Sequence, residues 1–184
     1  MKISIGIDIG SDGAYAVFVD DKLVYGKIPY ISEEPDMKGL CNEICKHLPN
    51  EVTGEYSIHC VIEDLHSVFG SSAASNFTFG KNNGLIIGML QVIEIPYTKV
   101  APKKWQKQMW EGIRPVEKSV IKKGVHQKNK KDELKYKIDT KETSLIAAKR
   151  LFPKETFLAT ERSKVAHDGI VDAVLIATYC KRNF

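Results

Sequence analysis

The chain has 184 residues, 43% of them hydrophobic, 27% charged and 9% aromatic, which suits one soluble α/β-sized domain spanning 1–184 with a single buried core. No run approaches the roughly 18 consecutive apolar residues of a membrane span, and MKISIGIDIG lacks the zones of a secretion signal, so the expectation is a cytoplasmic protein with no membrane partner. The net charge of +4 is unevenly spread: residues 103–150 hold 15 Lys/Arg against 6 Asp/Glu, leaving the remainder acidic, a pattern that fits either a polyanion-binding strip or a solvated lysine-rich loop. Cys41, Cys45, Cys60 and Cys180 include no CxxC pair, which argues for reduced core thiols rather than a disulfide framework or structural zinc.

In chain order, Ile3, Ile5, Ile7 and Ile9 alternate with Ser4, Gly6, Asp8 and Gly10, the pattern of a strand with one acid near its end. Ser11-Asp12-Gly13 turns into a second strand over 14–19, and Asp20-Asp21-Lys22 into a third over 23–28, giving an antiparallel meander. Residues 29–35 read as a loop. Met37, Leu40, Cys41, Ile44, Cys45 and Leu48 follow helical spacing until Pro49. A fourth strand over 56–62 delivers Glu63 and Asp64, and a Ser/Gly-rich loop over 65–74 leads to a helix through 84–92. A strand over 97–100 and a short helix opened by Pro102 come next, with Trp105 read as a core residue. Residues 111–138 are basic and lack periodicity, which predicts a mobile insertion that orders on a ligand. Helices over 140–151 and 166–180 close the chain. The sum is a mixed α/β sheet sandwiched by helices.

Four acids stand where solubility alone would not place them. Asp8 lies inside an apolar strand and Glu63 ends another. Asp168 and Asp172 are four apart and share one helix face, with Asp172 directly followed by Ala173-Val-Leu-Ile-Ala177. Ionised acids in such settings need a partner, and a pair of hard divalent cations, magnesium or manganese, would supply it and support phosphodiester hydrolysis. Each acid also has a plainer reading: Asp168 can complement a helix dipole, Asp8 can cap a turn, and Glu63 and Asp64 can be ordinary strand ends.

Five stretches taken together, GIDIGSDGAYAV at 6–17, VIEDLH at 61–66, FGSSAASNFTFGKNNGLIIGML at 69–90, VAPKKWQK at 100–107 and HDGIVDAVLIA at 167–177, resemble the RuvC-type Holliday junction resolvases of the RNase H-like superfamily. The Ser/Phe/Gly stretch, the Pro-x-x-Trp motif and HDGxxDA look like the phage and plant-organelle members. The resemblance implies an RNase H-like mixed five-stranded sheet, three antiparallel strands and then parallel additions, flanked by helices. It also implies a homodimer that nicks four-way DNA junctions in pairs, using two Mg2+ ions per active site with Mn2+ as a substitute. Residue by residue, Asp8, Glu63, Asp168 and Asp172 fall on the four metal-binding acids. Some bacterial members space the last two acids by three rather than four. His167 is open to two roles, orienting the attacking water or starting the helix.

The resemblance also suggests how a junction would be held. Gly80, Gly84 and Gly88 at intervals of four permit close approach of a helix to a second copy of the chain, or to its own sheet. His66 and Phe69 sit in the loop beside the acids, where they suit a base edge and an unpaired base, or simply pack the loop. Lys103, Lys104, Lys107, Lys118, Lys122, Lys123 and Lys164 are the candidate phosphate contacts, with Lys118 or Lys164 nearest the chemistry. Three rival readings remain: a nuclease of broader branched-DNA or RNA:DNA specificity, a catalytically silent nucleic-acid binder, and an actin-like ATPase, whose phosphate loop the segment 8–13 also resembles. The ATPase would need a second lobe and an adenosine motif that the sequence lacks.

Overall fold

The alternation read in the first strand has a structural consequence that organises everything else. In the computed structural model, which describes residues 1–10, 12–49, 55–64, 72–122 and 133–184, β1 (Lys2–Asp8) is the centre of a five-stranded sheet. It pairs antiparallel with β2 (Ala14–Val19), which pairs antiparallel with β3 (Lys22–Lys27). On its other edge it pairs in parallel with β6 (Ser57–Glu63), and β6 pairs in parallel with β7 (Tyr97–Val100). The order β3-β2-β1-β6-β7 is the mixed sheet expected from the sequence.

The period of two divides the core between the two faces. Ile3, Ile5, Ile7, Val17, Cys60 and Ile62 join Leu40 and Ile44 of α1 (Met37–Cys45) and Ile86, Met89 and Leu90 of α2 (Ala73–Val92). Ala14, Ala16, Phe18 and Val61 point the other way. There they meet Trp105 and Met109 of α3 (Pro102–Met109), Ala147 and Ala148 of α4 (Thr140–Leu151), and the buried face of α5 (Asp168–Asn183). Asp8 and Glu63 continue the parity of Gly6 and Val61, so both acids belong to the face covered by α3, α4 and α5.

Gly6 is the reason α5 can lie so close to β1. A Cβ there would run into the backbone of Ala173 and Ala177, so any larger residue would push the helix off the sheet. Eleven consecutive-turn residues of α5, from Gly169 to Cys180 with Asp172 excepted, are buried. That explains why the sequence there reads as a nearly continuous apolar run around one acid.

Several boundaries differ from the sequence reading. The second helix begins at Ala73, eleven residues before Gly84, because Ser72 accepts the Ser75 N–H through its hydroxyl and caps a helix whose first turns are polar and exposed. The final helix starts at Asp168 rather than 166 and runs to Asn183, since His167 has extended backbone and acts as its N-cap. The first helix stops at Cys45, and Leu48 packs beyond it. Residues 30–35 are not simply a loop: β4 (Tyr30–Ile31) and β5 (Glu34–Pro35) form a two-residue ladder.

Within the basic insertion at 111–138, β8 (Glu117–Lys122) and β9 (Glu133–Ile138) pair antiparallel in a separate two-stranded sheet, with Lys118 opposite Lys137 and Ser119 opposite Tyr136. The lysine content masked a β pattern: residues 117–119 and 136–138 are exposed whichever way they alternate, so no apolar side betrays the period there. Lys123 lies outside the described residues.

Among the described residues, a Cβ at Gly80, Gly84 or Gly88 meets nothing within 4 Å, so packing on the described part of the sheet does not require glycine at these positions. The helix buries Asn82, Ile86, Met89 and Leu90 instead, leaving Phe77 at 74% and Val92 at 83% exposure. Among the described residues no helix is long and apolar enough to cross a membrane, and the four cysteines are free.

Candidate functional site

The acids meet at the end of β1. Asp8 ends that strand, and its Oδ1 accepts the Gly10 N–H at 3.2 Å, so the turn after the strand holds the carboxylate in place. Gly169 in the first turn of α5 is its counterpart. A Cβ there would sit 2.6 Å from the Asp12 carbonyl oxygen and 3.1 Å from Asp8 Oδ2, so glycine is what lets the helix start against the strand end. One turn further, Asp172 points down onto the sheet between Val171 and Ala173, both buried. The result is an open cleft of about 430 Å³ lined by Asp8, Gly10, Asp12, Lys141, His167, Asp168, Gly169 and Asp172, with Val165 and Ala166 at its edge.

Electrostatics separates these acids from ordinary surface carboxylates. Burial pushes Asp8 up to about 6, with Asp12 adding to the rise while the Gly10 N–H and the neighbouring His167 and Lys141 side chains oppose it. Burial pushes Glu63 up to about 7, with repulsion from Asp8 adding to it and the Trp105 indole N–H opposing it. Asp172 rises furthest, to about 8, through burial first and then repulsion from Asp8, Glu63 and Asp168. Asp8 thus acts on both Glu63 and Asp172, and Glu63 on Asp172, which places the three acids within electrostatic reach of one another.

One further atom points the same way. Asp172 Oδ1 is buried and makes no hydrogen bond of ordinary length among the described residues, the Ser144 hydroxyl being the near group that opposes the rise of its carboxyl; a buried oxygen so placed calls for a ligand or a proton. The donor set is all carboxylate oxygen, the chemistry that hard divalent cations prefer. As arranged, however, no three His, Cys, Asp or Glu side chains among the described residues stand close enough to hold an ion. Two of the acids are already engaged: Lys141 Nζ binds Asp168 Oδ2 at 2.5 Å, and Trp105 Nε1 donates to Glu63 Oε1 at 2.9 Å. Glu63 does not line the cleft, but it is within electrostatic reach of Asp8 and Asp172. The residues fit a divalent cation by charge and by their orphaned oxygen, on condition that Asp168 leaves Lys141.

His167 has both ring nitrogens engaged. Nδ1 accepts the Ile170 N–H at 3.3 Å as the helix cap, so Nε2 carries the proton and donates to Asp12 Oδ2 at 2.7 Å. Of its two sequence readings, helix start is the one these bonds describe. Asp12 is shared with Lys27 of β3, and this ion pair is the main reason its carboxyl lies below the usual range.

The basic candidates divide. Lys103, Lys104 and Lys107 are exposed along α3, and Lys164 is exposed just before the cleft edge. Lys118 reaches Asp139 at 3.2 Å, the residue that caps α4, and so ties the β8–β9 arm to that helix instead of entering the cleft. The lysine inside the cleft is Lys141, which the sequence reading did not single out. Its signal was faint but present: Asp139 followed by Thr140-Lys141 is a helix start, and a first-turn lysine there is unfavourable to the helix dipole unless an acid faces it. Asp12 was visible only as a turn residue, and Trp105 only as core. Lys122 lies on the β8 backbone, while His66 and Phe69 fall outside the described residues.

No protein-family model and no curated protein matches the chain. Among solved structures, the chain is similar to Thermus thermophilus RuvC in complex with a Holliday junction substrate, with a TM-score of 0.56 and 14% sequence identity over 100% of this chain and 97% of that one. A second structure of Thermus thermophilus RuvC gives a TM-score of 0.51 and 16% identity over 98% and 96%. The likeness runs the length of both chains and shows that this protein has the RuvC type of RNase H-like fold.

Proposed function

We propose that this protein is a structure-selective endodeoxyribonuclease that resolves four-way DNA junctions by paired, magnesium-dependent phosphodiester hydrolysis, acting as a cytoplasmic homodimer. The observation that carries the reading is that Asp8, Asp168 and Asp172 line one cleft at the end of a RuvC-like sheet with Glu63 in electrostatic reach, a buried oxygen of Asp172 making no hydrogen bond of ordinary length among the described residues. The similar Thermus protein binds a Holliday junction.

Asp8, Asp172, Asp168 and Glu63 would hold two magnesium ions, with manganese as a substitute. Bound cations of this kind neutralise charge on the phosphate and lower the pKa of an attacking water. The remaining work falls to the chain itself. Lys141, released from Asp168, is placed to meet a phosphate oxygen in the cleft. His167 and Asp12 hold the N-terminus of α5 so that Asp168 and Asp172 keep their separation. Lys103, Lys104 and Lys107 on α3, with Lys118 and Lys137 on the β8–β9 arm and Lys164 at the cleft edge, supply sequence-independent backbone contacts. Lys122, Lys123, His66 and Phe69 extend the same proposal into the arm and the loop after β6.

A four-way junction has two-fold symmetry, and a C2 dimer presents two equal sites to it. The face of α2 carrying Phe77, Gly80, Gly84, Gly88 and Val92 supports that assembly, because among the described residues nothing stands over its glycines and Phe77 and Val92 are largely exposed. Cleavage of labelled four-way junction, linear duplex, single strand and RNA:DNA hybrid with Mg2+, by wild type and Asp8→Asn, tests the proposal. Cutting confined to the junction and lost in the variant is the expected result. Equal cutting by the variant removes the metal site, and preference for the hybrid moves the protein to the ribonuclease H branch.

A further inference from the structure

Trp105 stands out among the residues behind the cleft. It is fully buried in the layer between the sheet and α5, as expected of a core residue, yet its indole N–H donates to Glu63 Oε1 at 2.9 Å. Backbone geometry brings the two together. Glu63 at the end of β6 stands in register with Val100 at the end of β7, and α3 begins two residues later with Pro102 in its first turn. Trp105 therefore enters the core one turn along, beside the strand end that carries the acid.

Burial of an indole does not by itself dictate this bond. Trp110 at the end of the same helix also buries its Nε1, and that atom has no partner among the described residues. An indole N–H is a donor only, whereas a carboxylate offers about four acceptor sites, so the bond consumes one and leaves the others for a ligand. A glutamate has three side-chain torsions to order before it can ligate, and a donor held rigidly in the core removes that freedom in advance.

We infer that Trp105 is a positioning residue for a divalent cation, its indole N–H fixing one oxygen of Glu63 at the end of β6, within electrostatic reach of Asp8 and Asp172, and leaving the other oxygen for the cation. This rests on the metal-dependent reading above. The indole touches neither substrate nor cation; it acts only through Glu63.

The test uses the full chain, free of DNA, with 15N-labelled tryptophan. Mg2+ alone is titrated at neutral pH while the two indole resonances are followed by NMR, and binding is measured in parallel by calorimetry. The Trp105 resonance should move along the calorimetric isotherm while that of Trp110 stays. Glu63→Gln, which keeps an acceptor oxygen but loses the charge, should abolish that movement. Trp105→Phe should bind Mg2+ about tenfold more weakly at an unchanged stoichiometry. A Trp105 resonance that ignores Mg2+ while calorimetry records saturable binding overturns the inference and leaves the metal reading intact, as does a Trp105→Phe protein that binds like wild type. Should Trp105→Phe fail to fold, the wild-type and Glu63→Gln titrations decide alone. Absence of any Mg2+ binding to wild type overturns the metal reading itself.

Discussion

Replacing Asp172 with asparagine should stabilise the metal-free protein at pH 8 while removing its response to magnesium. Unfolded, this carboxyl ionises near 3.8; folded, burial and three neighbouring acids delay ionisation to about 8. Between those values the folded state holds the extra proton, so stability falls as pH rises through the window. At about 1.4 kcal/mol for each tenfold change, the span sets a ceiling of about 6 kcal/mol on the cost of this one side chain. An asparagine amide also needs partners in a buried setting, which returns about 1–3 kcal/mol, so a net gain of at most about 3–5 kcal/mol is expected. For a chain of this length that is a rise in Tm of at most roughly 6–20 °C. The assay is thermal unfolding in chelator at pH 5 and pH 8, with and without Mg2+. The gain should be small at pH 5, where wild type is already protonated, and Mg2+ should raise the wild-type Tm at pH 8 but not that of Asp172→Asn. A variant that is less stable than wild type at pH 8 in chelator would refute the reasoning, because the acid would then have a stabilising partner in the fold.

Three other outcomes follow from the same geometry. Gly6→Ala should lose about 3 kcal/mol or more in urea unfolding, since the new methyl meets backbone of α5 that cannot give way without moving Asp172; a loss below about 1 kcal/mol would show that the helix is free to shift. Lys118→Gln with Lys137→Gln should lower the salt slope of junction binding by up to about 0.9 for each phosphate contact removed, measured by binding across a salt series, and an unchanged slope would return the β8–β9 arm to a solvated role. Phe77→Asp should shift the protein from dimer to monomer in sedimentation while keeping its Tm, because the ring is exposed and contributes little to the folded chain; a dimer that persists would direct attention away from α2.

Much of this protein is legible from local pattern. The period-two isoleucines of β1 fix which face Asp8 occupies, the apolar run ending at Glu63 does the same for β6, and the four-residue interval between Asp168 and Asp172 puts both on one side of a helix. Those readings hold because burial on a pleated strand or a helix depends on residues close together in the chain. The β8–β9 arm escaped for the opposite reason: residues 117–119 and 136–138 are all exposed, so no apolar side marks the period of its strands. Helix starts at Ser72 and His167 likewise depend on single capping bonds that composition does not reveal.

Which side chains partner the acids was decided only in three dimensions. Lys141 is 27 residues from Asp168, Trp105 is 42 from Glu63, and His167 is 155 from Asp12, so no local spacing links them. Their pairing follows from the right-sided stacking of α3, α4 and α5 on one face of the sheet, and from Gly6 and Gly169, whose missing side chains let the last helix descend to the strand end. The sequence by itself determined the acids, the face they share and the charge of the basic strip. The tertiary structure determined their protonation, because the protonation of a carboxylate depends on its distance from water and from other charges, quantities that exist only once the chain has folded.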